Sequence, residues 1–377
     1  MSGTYDAAVI GAGPAGSAAA AELASAGCRT LLIEKERFPR RKVCGTYLAA
    51  DALSSLERLG AVEAVRSAGP ETIARARLHL PGASPVAFDL PSPGLGISRA
   101  LFDTLLAERA EAAGAEVRFG TRVVSLAGST GEFRLSTGDG GEIRARVVIG
   151  AWGRWDALDR SLARAFQVNR ARYLAWNAEY RGGPDALAGE VRLYAFSGGY
   201  CGLSRVEGGR VNLAGVVAER LRPSGGWDAL LAKARRDNEA LDADLAGLGT
   251  GDGGFLGAGP VFFTAKPPVE GGILMVGDAA GVVDPFSGEG QAIALASGLL
   301  AGETSARFLD GELQTDELTR SYAKRWRDNF AGRFAWSAIF RRFLLSSGLG
   351  AVGGRLAGRS LALFAVSRLR APSLPPA

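Results

Sequence analysis

The chain has 377 residues, 47% of them apolar and 22% charged, which fits a globular protein of two domains or one large α/β unit and excludes a disordered chain. Its 53 glycines follow no triplet period and its 16 prolines are too few for a low-complexity protein. Lys+Arg exceed Asp+Glu by only 44 − 39 = 5, too small an excess to argue a nucleic-acid partner.

Taken in chain order, the pattern opens with a strand at Tyr5–Ile10, a helix from Pro14 to Ala26 and a strand at Thr30–Glu34. The apolar run Ala7–Ala21 mimics a signal peptide. It lacks a basic leader and is broken by Gly11, Gly13, Pro14 and Gly16, so it reads as part of the fold. A helix is predicted over Arg99–Ala113, then strands at Ala115–Phe119, Arg122–Leu126, 132–136 and 142–149. Aromatic alternation fills 170–218, with strands at Arg172–Tyr180 and Val191–Phe196, as in an antiparallel sheet. Next come a helix at Trp227–Leu248, a strand at Gly272–Val276 and a helix opening near Gly290. From Thr315 the pattern is helical, with a disordered-looking tail at Pro372–Ala377. No uninterrupted apolar run reaches 18 residues, so no membrane span is expected and a cytoplasmic location is the default.

Gly11-x-Gly13-x-x-Gly16 follows the first strand and opens the first helix. Gly11 suits the tight turn, Gly13 a close approach to a pyrophosphate, and Gly16 close helix–sheet packing. The helix start offers free N–H groups and a positive dipole end to phosphate. Glu34, 23 residues after Gly11 at the end of the second strand, is placed to accept from ribose hydroxyls. The pattern reads as a dinucleotide site, for FAD or NAD rather than NADP. No second fingerprint marks a separate nicotinamide domain.

Cys28, Cys44 and Cys201 are far apart, which argues against a disulfide framework, a dithiol pair and a metal site. His79 is the single histidine and lies in the alternating run 74–80, where it reads as a satisfied strand residue. With so few nucleophiles and bases, the chemistry is expected to be carried by a cofactor.

Three further segments join the fingerprint: EKERFPRRKVCG at 34–45, VVIGAWGRWDALDR at 147–160 and ILMVGDAAGVVDPFSGEGQ at 273–291. With Arg99, they resemble the flavoprotein superfamily of para-hydroxybenzoate-hydroxylase fold. Within it they are most similar to the geranylgeranyl reductase branch, with flavin-dependent halogenases as relatives. The resemblance implies a Rossmann-type FAD-binding domain with a parallel sheet, an interleaved antiparallel-sheet substrate domain and a helical C-terminal segment. The expected boundaries are 1–72, 97–168 and 264–315 for FAD binding, 73–96 and 169–263 for substrate, and 316–377 for the last segment.

For the cofactor, FAD, the resemblance implies contacts from Gly11, Gly13, Pro14, Ala15, Gly16, Glu34, Lys35, Lys42, Val43, Cys44, Gly45, Arg99, Val124, Asp278, Gly288 and Gly290. The helix opening at Gly290 would face the flavin pyrimidine edge. No catalytic side chain is assigned beyond the flavin itself, with Cys44 expected near the ring. Trp176, Tyr194, Phe196 and Tyr200 are expected to line an apolar substrate pocket. Trp152 stands where the superfamily has an aspartate that helps hold NADPH, so the electron donor is NADPH or a partner flavin reductase. The segment Gly199–Arg205 lacks the aromatic-Pro signature of the reductases.

These points imply an FAD-dependent oxidoreductase. The favoured activity is a monooxygenase or hydroxylase acting on an apolar aromatic, polyketide or isoprenoid-like molecule of secondary metabolism. A C=C reductase of geranylgeranyl reductase type and a flavin-binding protein without turnover are the alternatives. After Asp328 no acidic residue occurs in 49 positions, while Arg333, Arg341, Arg342, Arg355, Arg359, Arg368 and Arg370 alternate with apolar side chains. Two readings stay open for this stretch. It is a helical cap with its arginines in water, or a segment lying on an anionic membrane.

Overall fold

A computed structural model describes residues 3–167, 172–182, 185–221, 224–249 and 251–345. Strand β1 (Gly3–Ile10), helix α1 (Pro14–Ser25) and strand β2 (Thr30–Glu34) come first. All of β2 is buried, as are Ala7, Ala8 and Val9 of β1, the pattern of parallel strands covered on both faces. The chain then makes β3 (Tyr47–Leu48), α2 (Ala52–Leu59), α3 (Val62–Ser67) and the antiparallel pair β4 (Glu71–His79) and β5 (Val86–Gly96). Helix α4 (Arg99–Ala112) leads into β6 (Glu116–Phe119), β7 (Val123–Ser129), β8 (Glu132–Thr137) and β9 (Glu142–Gly150). The short α5 (Ala157–Ser161) precedes β10 (Tyr173–Tyr180), β11 (Glu190–Phe196), β12 (Gly199–Arg205) and β13 (Val211–Ala218). Helices α6 (Gly226–Asp237) and α7 (Glu239–Ala246) are followed by β14 (Gly251–Val261), β15 (Val269–Glu270) and β16 (Ile273–Met275). Helices α8 (Gly290–Leu309) and α9 (Thr315–Leu345) close the described chain.

The strands form two sheets. The first has the order β15-β16-β9-β1-β2-β6, with β7 and β8 joined to β9 as an antiparallel meander. Strand β1 pairs in parallel with β2 on one side and β9 on the other. Strand order therefore reverses at the carboxyl end of β1, where an open α/β sheet leaves a crevice for ligand. The second sheet has the order β14-β10-β13-β12-β11-β4-β5-β3 and is antiparallel except where β11 meets β4. It collects strands from three separate stretches of sequence. One face carries α6 and α7, and the other faces the first sheet's ligand edge.

Helix α8 lies along α1 at a distance set by small residues. A Cβ on Gly298 would fall 2.2 Å from the Ala15 carbonyl oxygen, and one on Gly302 would fall 2.7 Å from Glu22 Cβ. Helix α9 packs outside α8 through Tyr322, Trp326, Phe330 and Phe334, and the Tyr322 hydroxyl donates to the Met275 carbonyl at 2.5 Å. The single helix expected over Trp227–Leu248 is two helices. Asn238 has extended backbone, caps α7 by accepting from Leu241 N, and donates to the carbonyls of His79 and Ala195. Those bonds require Asn238 to leave the helix. His79 is on a strand as expected, but its Nε2 has no hydrogen-bond partner among the described residues, and burial lowers its pKa.

Gly298→Ala should lower unfolding free energy by about 1–3 kcal/mol, because the added methyl pushes α8 off the α1 backbone. Urea denaturation followed by circular dichroism measures it. An unchanged midpoint would show that the helices tolerate separation.

Candidate active site

Two cavities lie at the carboxyl edge of the first sheet, of about 360 and 320 Å³. They share Gly13, Lys42, Ala151, Gly153, Arg154 and Val261 as walls, so they form one groove with a waist. The first chamber is lined by Gly11, Glu34, Lys35, Arg40, Thr121, Val123 and Trp152, among others. At its inner end the β1–α1 turn is held by close backbone contact. Gly11 has φ +107°, and a Cβ there would fall 2.4 Å from the Ala151 oxygen. Gly16 lines neither cavity. A Cβ on it would fall 1.8 Å from the Gly11 oxygen, so it serves helix–strand packing.

Glu34 is buried and accepts from Ala12 N and Glu36 N, each at 3.0 Å, with the Arg40 guanidinium 3.6 Å away. These bonds fix its carboxylate at the wall of the first chamber. Lys35 is tied to Asp156 at 2.6 Å. Val124 is 48% exposed and lines neither chamber, whereas Val123 lines the first. Alternation along β7 turns the Val124 side chain outward.

The waist is cationic. A Cβ on Gly13 would meet only the Arg99 guanidinium at 3.7 Å and the Lys42 ammonium at 4.0 Å. Gly13 also caps α1 and Pro14 takes the first helical position, so the first-turn N–H groups point into the same space. Arg99 is held by Asp103 through two bonds of 2.6 and 2.7 Å. Burial works against its charge, but Asp103 and Cys44 outweigh it and raise its pKa. Lys42 has no carboxylate within 4 Å among the described residues. Burial, then the Arg99 charge, lower it to about 8. A lysine next to bare glycine backbone and a helix N-terminus could hold a pyrophosphate. The other basic residues of the 37–42 stretch diverge: Arg41 donates to the carbonyls of Gly253 and Gly254, and Arg37 lies beside Gly120.

The second chamber holds Pro14, Ala15, Val43, Cys44, Gly45, Arg99, Asp278, Gly288 and Gly290. The Cys44–Thr46 loop is pinned to the second sheet: Asn212 Nδ2 donates to the Cys44 carbonyl at 3.1 Å and Ser204 Oγ to the Gly45 carbonyl at 3.2 Å. Thr46 is held at φ 57°, a strained conformation for a β-branched residue, and its N–H donates to Cys44 Sγ at 3.4 Å. Lys266 donates to the carbonyls of Arg154 and Asp278, at 2.7 and 2.8 Å, joining two walls. Tyr47 lines this chamber without any sequence signal, and Glu289 and Gln291, which also line it, lie within the 273–291 motif, which assigns their side chains no role. The Tyr47 ring is wedged between Gly94 and Gly288, where added Cβ atoms would fall 2.5 and 2.6 Å from it.

The chamber extends over the second sheet, lined there by Ala76, Ala175, Val191, Leu193, Ala214 and Val216, with Phe88 and Leu90 from β5. Of the four aromatics expected to line it, only Tyr200 belongs to this face; its hydroxyl donates to Asp284 and accepts from Phe286 N at 3.0 Å. Trp176, Tyr194 and Phe196 pack in the cluster beneath α6 and α7. The register pairs Tyr194 with Cys201 and Ala195 with Tyr200, so Tyr194 and Tyr200 lie on opposite faces. Trp176 touches the chamber at its strand, but its ring meets Phe255 edge-on at 5.9 Å.

Residues 4–178 match the family described as FAD binding domain. The two-chambered groove with a cationic waist fits that cofactor. The chain is 32% identical over 350 residues to digeranylgeranylglycerophospholipid reductase 2 of Methanopyrus kandleri, covering 88% of this chain and 85% of the relative. It belongs to the geranylgeranyl reductase family of FAD-dependent oxidoreductases. It is also 28% identical over 375 residues to the menaquinone reductase of Mycobacterium tuberculosis, covering 91% and 86% of the two chains. The same fold is seen in a geranylgeranyl bacteriochlorophyll reductase-like protein of Thermoplasma acidophilum, with a TM-score of 0.80 at 20% identity, covering 98% and 96%.

For a member of this family Lys42 should govern cofactor capture. Lys42→Met should raise the Kd for FAD about 10- to 100-fold, the loss of one charge-assisted contact. In the wild type, affinity should be flat below about pH 8 and weaken above it, because Lys42 in the FAD-free protein loses its proton there. Flavin fluorescence titration from pH 6 to 10 checks both. A pH-independent Kd in the wild type would remove Lys42 from the site.

Proposed function

We propose that the protein is a flavin-dependent reductase of a carbon–carbon double bond in an apolar, isoprenoid-bearing molecule. The observation that carries this is the second chamber. Its floor is a file of small and aliphatic side chains, Ala76, Val191, Leu193, Ala214, Val216 and Ala175, from four strands of the second sheet, β4, β11, β13 and β10. Such a floor accepts a long hydrocarbon and offers no charge to a polyanion. The relatives' reductase names support reduction over oxygenation, which the sequence alone favoured. When bound, FAD supplies the hydride. The chain's residues would do the rest: Gly13, Lys42 and the α1 N-terminus would hold the pyrophosphate, Glu34 the ribose, and the pinned Cys44–Thr46 loop would wall the flavin.

The electron donor we propose is a separate reductase or carrier. Trp152 donates its Nε1–H to Asp159 at 3.2 Å and packs over Gly150, so it is a fixed part of the wall rather than an anionic anchor for NADPH. The test is anaerobic. Stopped-flow mixing with NADPH should reduce the flavin slowly. Dithionite-reduced protein should be reoxidised by geranylgeraniol, with a product two mass units heavier. An oxygen atom from labelled O₂ in the product of an aerobic run would make the protein a monooxygenase. Fast, saturable reduction by NADPH would overturn the donor assignment.

We also propose that the last turns of α9 rest on a lipid surface. No helix among the described residues is long and apolar enough to cross a membrane. The buried face of α9 carries Arg333, Phe334 and Ser337, while Ala331, Gly332, Ala335, Trp336 and Ile339 form an exposed apolar strip. Arg333 and Arg341 are turned inward onto carboxylates, which corrects the picture of a cap with all its arginines in water. Arg355, Arg359, Arg368 and Arg370 lie outside the described residues. Asp51 lines the second chamber and lies 3.7 Å from Arg333, so the buried face of α9, opposite the strip, reaches the chamber wall. Binding to anionic vesicles in co-sedimentation should fall with salt and drop severalfold in a Trp336→Ser/Ile339→Ser variant. Protein left in the supernatant at low salt would refute this placement.

A further inference from the structure

Reducing a double bond requires a proton as well as a hydride, and the groups described so far leave its source unassigned. The second chamber contains one carboxyl suited to the task. Glu289 stands at the start of α8, is only 4% exposed, and forms part of the chamber wall. Its Oε1 lies 3.3 Å from Arg333 Nη1, and its Oε2 has no hydrogen-bond partner among the described residues. Arg333 is itself buried and reaches from α9 to both Glu289 and Asp51. One guanidinium thus serves two carboxylates at the inner wall.

We propose that Glu289 is the acid that protonates the substrate carbon next to the one that receives hydride, with Arg333 as its positioning residue. This rests on the double-bond reductase reading. In the step, the C=C π bond is lost and two C–H bonds form. The hydride comes from reduced FAD, which is oxidised. The proton comes from the Glu289 carboxyl, which becomes a carboxylate and regains a proton from water past Asp51.

The surroundings suit a held proton. Burial raises Glu289 to about 8 against the opposing pull of Arg333, and Asp51 adds to the rise. The other ionisable or polar neighbours at this wall are Tyr47 of β3, which burial and then Asp51 raise to about 12, and Gln291 of α8. Neither supplies a counter-charge to a Glu289 carboxylate. Tyr47, Cys44 and Lys42 are competing donors in the chamber, Lys42 lying at the waist beside Gly13.

Infrared pH titration of the oxidised, FAD-loaded protein reads the proton directly. The C=O stretch of a protonated carboxyl should disappear with a midpoint near pH 8, be absent in Glu289→Gln, and shift to higher pH in Arg333→Gln. Anaerobic single turnover with dithionite-reduced protein and geranylgeraniol reads its use. The wild-type rate should be flat below about pH 8 and fall above it, because only the protonated acid donates. Glu289→Gln should be at least 100-fold slower with that pH limb lost, while its Kd for FAD and flavin spectrum match the wild type. Glu289→Asp should recover part of the rate. A missing infrared band, or a Glu289→Gln rate within threefold of wild type, would overturn the donor role. So would loss of turnover in Cys44→Ser or Tyr47→Phe with Glu289→Gln unaffected. A wild type that geranylgeraniol fails to reoxidise would overturn the reductase reading and the donor role together.

Discussion

Everything in this molecule hangs on backbone-to-backbone contact around the β1–α1 turn. The Gly11 backbone sits against the Ala151 carbonyl, Gly16 against Gly11, and Gly298 against Ala15, each at a separation that forbids a side chain. These contacts bring β1, α1, β9 and α8 together at one point. They leave the α1 N-terminus open at the crevice where strand order reverses. The groove, its cationic waist and the flavin chamber are all measured from that point. Close packing of small residues is unforgiving, because neighbouring backbone has nowhere to move.

A second layer of order is electrostatic. Asp159 and Arg164 form a fully buried pair at 2.9 Å, and their other bonds reach Trp152, Asp156 N, Ala279 O and Pro267 O. Breaking such a pair by removing one partner costs about 3–5 kcal/mol, since the other charge is stranded. The pair fixes the wall that carries Gly153 and Arg154. The waist therefore depends on charges placed well outside it.

The first sheet was largely legible in the sequence, because glycine spacing, alternation and Glu34 each answer to local geometry. The substrate sheet was harder. Ser197 and Gly198 alone connect Phe196 to Gly199, and this tight hairpin inverts which parity faces the chamber. Tyr200 is thereby turned in and Tyr194 and Phe196 out, although all are aromatic and all lie in strands. Asn238 interrupts a helical pattern only because it reaches the carbonyls of β4 and β11, a tertiary demand that helix periodicity does not record. The Glu289–Arg333 pair was invisible for the same reason: 44 residues separate its members, and only the docking of α9 on α8 joins them.

The Tyr47 ring has a mechanical meaning. It fills the gap between Gly94 on the strand that borders the chamber and Gly288 on the turn that starts α8. A rigid plate held by two residues without side chains transmits displacement instead of absorbing it. The turn that starts α8 and the strand β5 are thus tied through one ring, so a change in the position of either is felt by the other.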